Sequence, residues 1–198
     1  MRKYKYDADK VMFTADTHFG HDNIIKFCDR PYRDANHMDT ELVANWNEVV
    51  DPDQVVFHLG DFSFKGKRNI PNLLNRLNGE VVLIQGNHDR PKDLHHFNSV
   101  HDIAEVEVEG QRIVMCHYAM TTWNNSFRGA WHIHGHSHGT LMPNWDRKIC
   151  DIGVDSWGYK PVTFYQLQAE LAMHGRETVD DLNNGFITTY GKEADLLK

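Results

Sequence analysis

Cysteine is scarce in this 198-residue chain: only Cys28, Cys116 and Cys150 occur, an odd number without zinc-type spacing. That excludes a disulfide framework and a cysteine-built zinc module, and it leads us to expect reduced thiols in the cytoplasm. The Asn124-Asn125-Ser126 sequon then carries no weight. Long apolar runs are also missing, so no membrane-spanning helix is expected. Met1 to Lys10 is charged and lacks the pattern of a secretory leader. Basic residues are outnumbered, 21 against 28 acidic ones for a net charge of −7, which argues against a general duplex or membrane-surface binder. Repeats, linkers and low-complexity stretches are absent. Residues 1–198 therefore read as one domain with a polar, mostly helical tail over 168–198.

What the chain has in excess is histidine, with fourteen copies. Their positions matter more than their number. Val81 to Ile84 is a short apolar run that reads as a strand buried on both faces, and Gly86-Asn87-His88-Asp89 follows on the turn. The same arrangement recurs. Val11 to Ala15 leads into Asp16-Thr17-His18, where residues at i and i+2 of an extended segment share a side. Val55 to Leu59 leads into Gly60-Asp61. Ile103 to Val108 and Gln111 to Cys116 form a hairpin about Glu109-Gly110 that ends in His117, with Cys116 as a small core residue. Trp131 to His134 runs into Gly135-His136-Ser137-His138. Further strands are expected at Lys148 to Val154 and Val162 to Leu167. Helices are expected through Ile24, Ile25 and Phe27 with Asp22 as N-cap, from Met38 to Val50 and from Ile70 to Leu77, with a short one opening at Pro91.

Asp16, His18, Asp61, Asn87, His88, His117, His136 and His138 thus lie just beyond the carboxyl ends of five strands, where α/β proteins collect ligands. Carboxylate oxygen mixed with imidazole nitrogen suits manganese, iron, zinc, nickel or cobalt, not calcium. Leaving His88 aside, seven protein ligands exceed what one tetrahedral ion takes and suit two ions sharing a carboxylate.

The ordered motifs Asp16-Thr17-His18, Gly60-Asp61, Gly86-Asn87-His88-Asp89, His117 and Gly135-His136-Ser137-His138 strongly resemble the calcineurin-like metallophosphoesterase superfamily, in its small bacterial and phage form. The resemblance implies an α+β fold of four layers, αββα, with two mixed sheets packed face to face and helices outside. It implies one divalent ion, manganese foremost, on Asp16, His18 and His138. A second would sit on Asn87, His117 and His136, with Asp61 bridging both. Phe62-Ser63-Phe64-Lys65-Gly66 stands where the protein-phosphatase branch carries a further Asp-Arg-Gly, which argues against phosphoprotein as substrate.

Charge supports a phosphate ester independently. Two divalent cations outweigh the carboxylates of Asp16 and Asp61, so net positive charge survives even a bridging hydroxide. Metal binding lowers the pKa of water from 15.7 to about 7, which makes that hydroxide available. The expected reaction is its in-line attack on phosphorus, with His88 as general acid and Asp89 holding the His88 tautomer. His21, Lys65, Arg68, Arg90 and Trp123 are candidates for substrate contact. His58, His132 and His134 precede the motifs inside strands and read as packed or supporting imidazoles. The expected activity is a phosphodiesterase on a small or nucleotide-like ester. The alternatives are a single-strand nuclease, a phosphomonoesterase and a binding module that keeps the fold without turnover.

Overall fold

In a computed structural model, residues 3–64, 68–141 and 147–172 are described. The strands are β1 (Lys3–Tyr6), β2 (Val11–Thr14), β3 (Val55–His58), β4 (Glu80–Ile84), β5 (Ser99–His101), β6 (Ile103–Val108), β7 (Gln111–Cys116), β8 (Trp131–His134), β9 (Ile149–Asp151) and β10 (Val162–Thr163). The helices are α1 (Asp22–Phe27), α2 (Ala35–Val49), α3 (Ile70–Leu74) and α4 (Phe164–Ala172). Two mixed five-stranded sheets result, with orders β10-β2-β3-β4-β5 and β1-β6-β7-β8-β9. In the first, β2 to β5 run parallel and β10 pairs antiparallel with β2. In the second, only β6 and β7 pair antiparallel.

Side-chain alternation explains the layering. Val11 and Phe13 of β2, Phe57 of β3 and Val82 and Ile84 of β4 point between the sheets. They meet Ala104, Val106, Val108, Ile113, Met115, Trp131 and Ile133 there. The intervening residues Met12, Val56, Val81 and Leu83 face the other way and are covered by Ile24 of α1, Met38, Leu42 and Trp46 of α2, and Ile70 and Leu73 of α3. Each fully buried aliphatic side chain contributes roughly 1.5–3 kcal/mol. On the second sheet the outward residues Glu105, His132 and His134 are buried too. Over them lies the loop from Tyr118 to Ala130, whose Trp123 ring packs 5.2 Å from His132 and whose Asn124 donates to Glu105 at 2.6 Å. The result is the expected sandwich of two mixed sheets with helices.

Some boundaries differ from the sequence reading. The strand expected over Val162–Leu167 stops at Thr163, because Thr163 and Gln166 cap a helix reciprocally. The Thr163 backbone donates to Gln166 Oε1 at 2.9 Å and the Gln166 backbone to Thr163 Oγ1 at 3.2 Å. Helix α2 starts at Ala35 and not Met38, since Asp34 accepts from the His37 backbone and acts as its cap. The edge strands β1 and β5 were not expected. One is short and alternates lysine with tyrosine, and the other has three residues. Of the 168–198 tail, only the residues through Ala172 are described, and they complete α4.

Candidate metal centre

The carboxyl ends of β2, β3, β4, β7 and β8 converge on one rim where the two sheets meet. Val154 donates to Ala15 at 3.0 Å and Gly135 to His117 at 3.0 Å, which ties the rim together. Strand parity does not aim the motif side chains, as the sequence reading supposed. Asp16, His18, Asp61, His136 and His138 all adopt left-handed backbone conformations, with φ of 58°, 50°, 56°, 68° and 47°. Such conformations cost non-glycine residues on the order of 1–3 kcal/mol each and persist only where the surroundings enforce them. Here the enforcement is visible: Asp16 donates its backbone N–H to Gly60 at 3.0 Å and His18 to Asp61 at 2.9 Å. The turns also need glycine at Gly86, where a Cβ would come within 2.4 Å of Asp61 Oδ1 and 2.5 Å of its backbone nitrogen.

Two clusters form on this rim. Ligand atoms of Asp16, His18 and His138 lie within 4.8 Å of one another, and so do those of Asp61, His117 and His136. The two carboxylates are used alike. One oxygen is fixed by a backbone N–H, His136 to Asp16 Oδ2 at 2.9 Å and His88 to Asp61 Oδ1 at 2.8 Å, which leaves the other for the centre. Asp61 Oδ2 joins the two clusters, 3.5 Å from His18 Nε2 of the first and 3.5 Å from His117 Nε2 of its own.

The residues fit cations. Asp16 Oδ1 and both ring nitrogens of His18 are buried without a hydrogen-bond partner, a costly arrangement unless an ion completes it. Burial, with the Asp151 and Asp61 carboxylates near, pushes the Asp16 carboxyl well above its ordinary range, which an adjacent cation reverses. Burial and then the Arg30 charge hold His18 far below the ordinary imidazole value, so it stays neutral and able to ligate. His117 Nδ1 lies 2.7 Å from the Leu59 carbonyl and must donate to it. Its Nε2 therefore carries a lone pair, and so does Asn87 Oδ1 at 3.1 Å. Two acceptors turned toward each other make sense with a positive ion beside them.

Two residues of the centre escaped the sequence reading. Arg30, fully buried at its side chain, grips Asp155 with Nε on Oδ1 and Nη2 on Oδ2, both at 2.8 Å. It also donates to the carbonyls of Asp16 at 2.8 Å and Thr17 at 3.1 Å. Asp155 Oδ2 lies 2.7 Å from His138 Nδ1, so the His138 ring donates there and presents Nε2 to the centre. Burial works to raise the Asp155 carboxyl, but the bonds from His138 and Arg30 outweigh it and hold it below its ordinary value. A signal existed: Asp155 follows a predicted strand, as the other candidates do.

With this geometry in place, comparison with known proteins is decisive at the level of family. The family model for the calcineurin-like phosphoesterase superfamily domain matches residues 10–149. The chain belongs to that superfamily. Among proteins similar to this phosphoesterase-superfamily chain is the uncharacterized protein MJ1445 of Methanocaldococcus jannaschii, 34% identical over 182 residues, covering 87% of this chain and 98% of the relative. The gene 66 protein of Mycobacterium phage D29 is 28% identical over 180 residues, covering 74% and 88% respectively. The crystal structure of AQ665 from Aquifex aeolicus, a protein of unknown function, is similar at a TM-score of 0.65 and 26% identity, over 81% of this chain and 98% of that one.

Around the superfamily's metal-ligand rim, the remaining candidates divide. His88 stands over the centre, its side chain 36% exposed, with Nε2 4.0 Å from Asp61 Oδ2 and its ring 5.3 Å from that of His18. His21 stands beside it on the wall of the adjoining cavity. Asp89 is placed differently from expectation: it does not orient His88. Its carboxylate accepts the backbone N–H groups of Asp61 and Gly86, each at 2.8 Å, and of Phe62 at 3.0 Å. It clamps the turn that carries Asp61, and burial pushes its carboxyl up to about 6.

Three of the substrate-contact candidates are engaged elsewhere. Arg68 pairs with Asp39 and donates to Asn36 at 2.7 Å, on α2. Arg90 pairs with Asp93 at 2.7 Å. Trp123 donates its indole N–H to the Ala130 carbonyl at 2.9 Å and packs on His132. Each side chain found a partner nearer than the rim. Lys65 lies outside the described residues. As expected, the strand histidines are packed: His58 bonds Thr17 at 2.9 Å, His132 bonds Val114 at 2.9 Å, and both are buried.

Proposed function

We propose that this protein is a metal-dependent phosphodiesterase acting on a small or nucleotide-like ester. The observation that carries the reading is Asp61 Oδ2, a member of one ligand cluster, lying as near to His18 Nε2 of the other as to His117 Nε2 of its own, with the partly exposed His88 imidazole 4.0 Å from it. Asp16, His18 and His138 would hold one divalent ion, and Asn87, His117 and His136 a second, with Asp61 touching both. Manganese leads, and iron, zinc, nickel and cobalt suit the same donors. Ions so bound supply Lewis acidity toward a phosphoryl group and make water acidic enough to ionise near neutral pH.

The chain's own residues account for the rest. Asp89 fixes the backbone of Asp61, so the shared carboxylate keeps its position. Arg30 and Asp155 fix the ring of His138. His88 is free to hold a proton at Nε2 and release it to the departing alkoxide, a role that contributes roughly 10²–10⁴ in rate. A diester is favoured over a monoester because it carries less negative charge, and the described lining of the adjoining cavity holds no lysine or arginine to meet a second charge. Of the elements that the nuclease alternative invokes, Arg68 and Trp123 are engaged elsewhere, and Lys65 and Lys67 lie outside the described residues.

The test is turnover of bis(4-nitrophenyl) phosphate by the Mn2+-loaded protein. Asp61→Asn is expected to abolish it, and His88→Ala to lower kcat by about 10²-fold or more. Absence of turnover of mono- and diesters with all five metals would leave the enzyme reading without support.

A further inference from the structure

Resting on the phosphoesterase reading, we infer that the cavity beside the cation site is a subsite for a flat, uncharged ring, a nucleobase or an aryl group, borne by one of the ester's alcohols. The cavity measures about 770 Å³, and His18, His88, His136 and His138 are part of its lining. Its wall is aromatic and apolar, made by Ile24 and Phe27 of α1, His21, Phe64 and Leu141. Phe27 is 75% exposed and Leu141 50% exposed, an unusual allowance of apolar surface at the mouth of a polar centre.

The rings form a chain of contacts from Phe27 to His88. Phe27 meets His21 edge-on with centroids 6.4 Å apart. His21 stacks flat on Phe64, 3.5 Å apart with 2° between planes. Phe64 stands 5.5 Å from His88. A phosphorus held over the centre therefore has, within one cavity, an aromatic wall whose exposed ring is Phe27, in edge contact with the stacked His21–Phe64 pair, against which a planar substituent can lie. A charged headgroup would need compensating charge in this lining, and the described residues there include no lysine, arginine or carboxylate. Asn23, Ser137 and Thr140 supply polar atoms suited to the edge of a heterocycle. Stacking of a base on protein aromatic rings strengthens binding by about tenfold or more.

Calorimetric titration of the Mn2+-loaded protein with methyl phosphate, cyclohexyl phosphate, phenyl phosphate and uridine 5′-monophosphate tests this without turnover. Phenyl phosphate or the nucleotide is expected to bind about tenfold tighter than methyl phosphate, with cyclohexyl phosphate behind them. Whichever of the two binds tighter names the source of the ring. Phe27→Ala, at an exposed position that leaves the core intact, should bring the ratio to within about twofold while the affinity for methyl phosphate stays unchanged. The subsite is overturned if neither ring ligand outbinds methyl phosphate, if cyclohexyl phosphate matches phenyl phosphate, or if Phe27→Ala keeps the wild-type ratio. The two readings fail separately. Ring-selective binding by a protein that turns over no ester counts against the hydrolase alone, and ring-blind binding by an active preparation counts against the subsite alone.

Discussion

Replacing Asp155 with asparagine separates the structural from the functional work of one buried carboxylate. Asparagine keeps the shape and one acceptor oxygen but removes the charge that faces Arg30 and His138. Arg30 is then a buried cation with no counter-charge, which keeps at most one bond to residue 155 beside those to the carbonyls of Asp16 and Thr17. Breaking a buried ion pair from one side costs roughly 3–5 kcal/mol. The retained bonds place Asp155→Asn at the lower end, about 3 kcal/mol. Independently, His138 loses the charged acceptor that fixes its tautomer and raises its basicity, and substitution of such a partner weakens metal binding by about 10–100-fold. Urea denaturation without metal reads the first effect, and Mn2+ titration of the folded protein reads the second. The double variant Arg30→Met with Asp155→Leu removes both charges. It should recover most of the lost stability, since buried pairs exchange for apolar side chains at little cost, yet keep the weakened Mn2+ binding. Wild-type Mn2+ affinity in Asp155→Asn would refute the role assigned to Asp155.

Three further outcomes follow from the same geometry. Asp89→Ala leaves the backbone N–H groups of Asp61, Phe62 and Gly86 without their acceptor. It should lower stability by about 3 kcal/mol or more and weaken Mn2+ binding, read by denaturation and titration. If Asp89 instead served His88, Asp89→Asn would lower kcat no further in a His88→Ala background, whereas the two losses are expected to add. His132 is held by burial at a pKa of about 4, below the ordinary 6.5. The unfolded chain therefore binds the proton first as pH falls, and stability that is full above pH 6.5 is lost between 6.5 and about 4. The loss is about 3 kcal/mol. Melting curves of the metal-free protein across that window should show it, with a smaller slope in His132→Gln.

The rim was legible in the sequence because its chemistry demands particular side chains, and because short apolar runs such as Val81 to Ile84 announce buried strands. Their ends locate Asp16, Asp61, Asn87, His117 and His136 without knowledge of the fold. What was hidden depends on tertiary meeting. Arg30 reads as a surface cation until residue 155, 125 positions away, arrives to pair with it. Arg68 and Arg90 read as phosphate contacts until Asp39 and Asp93 are found beside them. The left-handed turns at Asp16 and His18 are enforced by Gly60 and Asp61 from the neighbouring strand, so local pattern alone assigned those residues an extended backbone. The start of α4 was written locally, in Thr163 and Gln166, but lay under an apolar run that resembles a strand.

The central claim is that distant segments assemble a nest for two cations around Asp61. Anomalous diffraction from a crystal soaked in Mn2+ addresses it most directly. The account predicts two peaks, one among Asp16, His18 and His138 and one among Asn87, His117 and His136, with Asp61 touching both. Peaks elsewhere, or none on this rim, would contradict it.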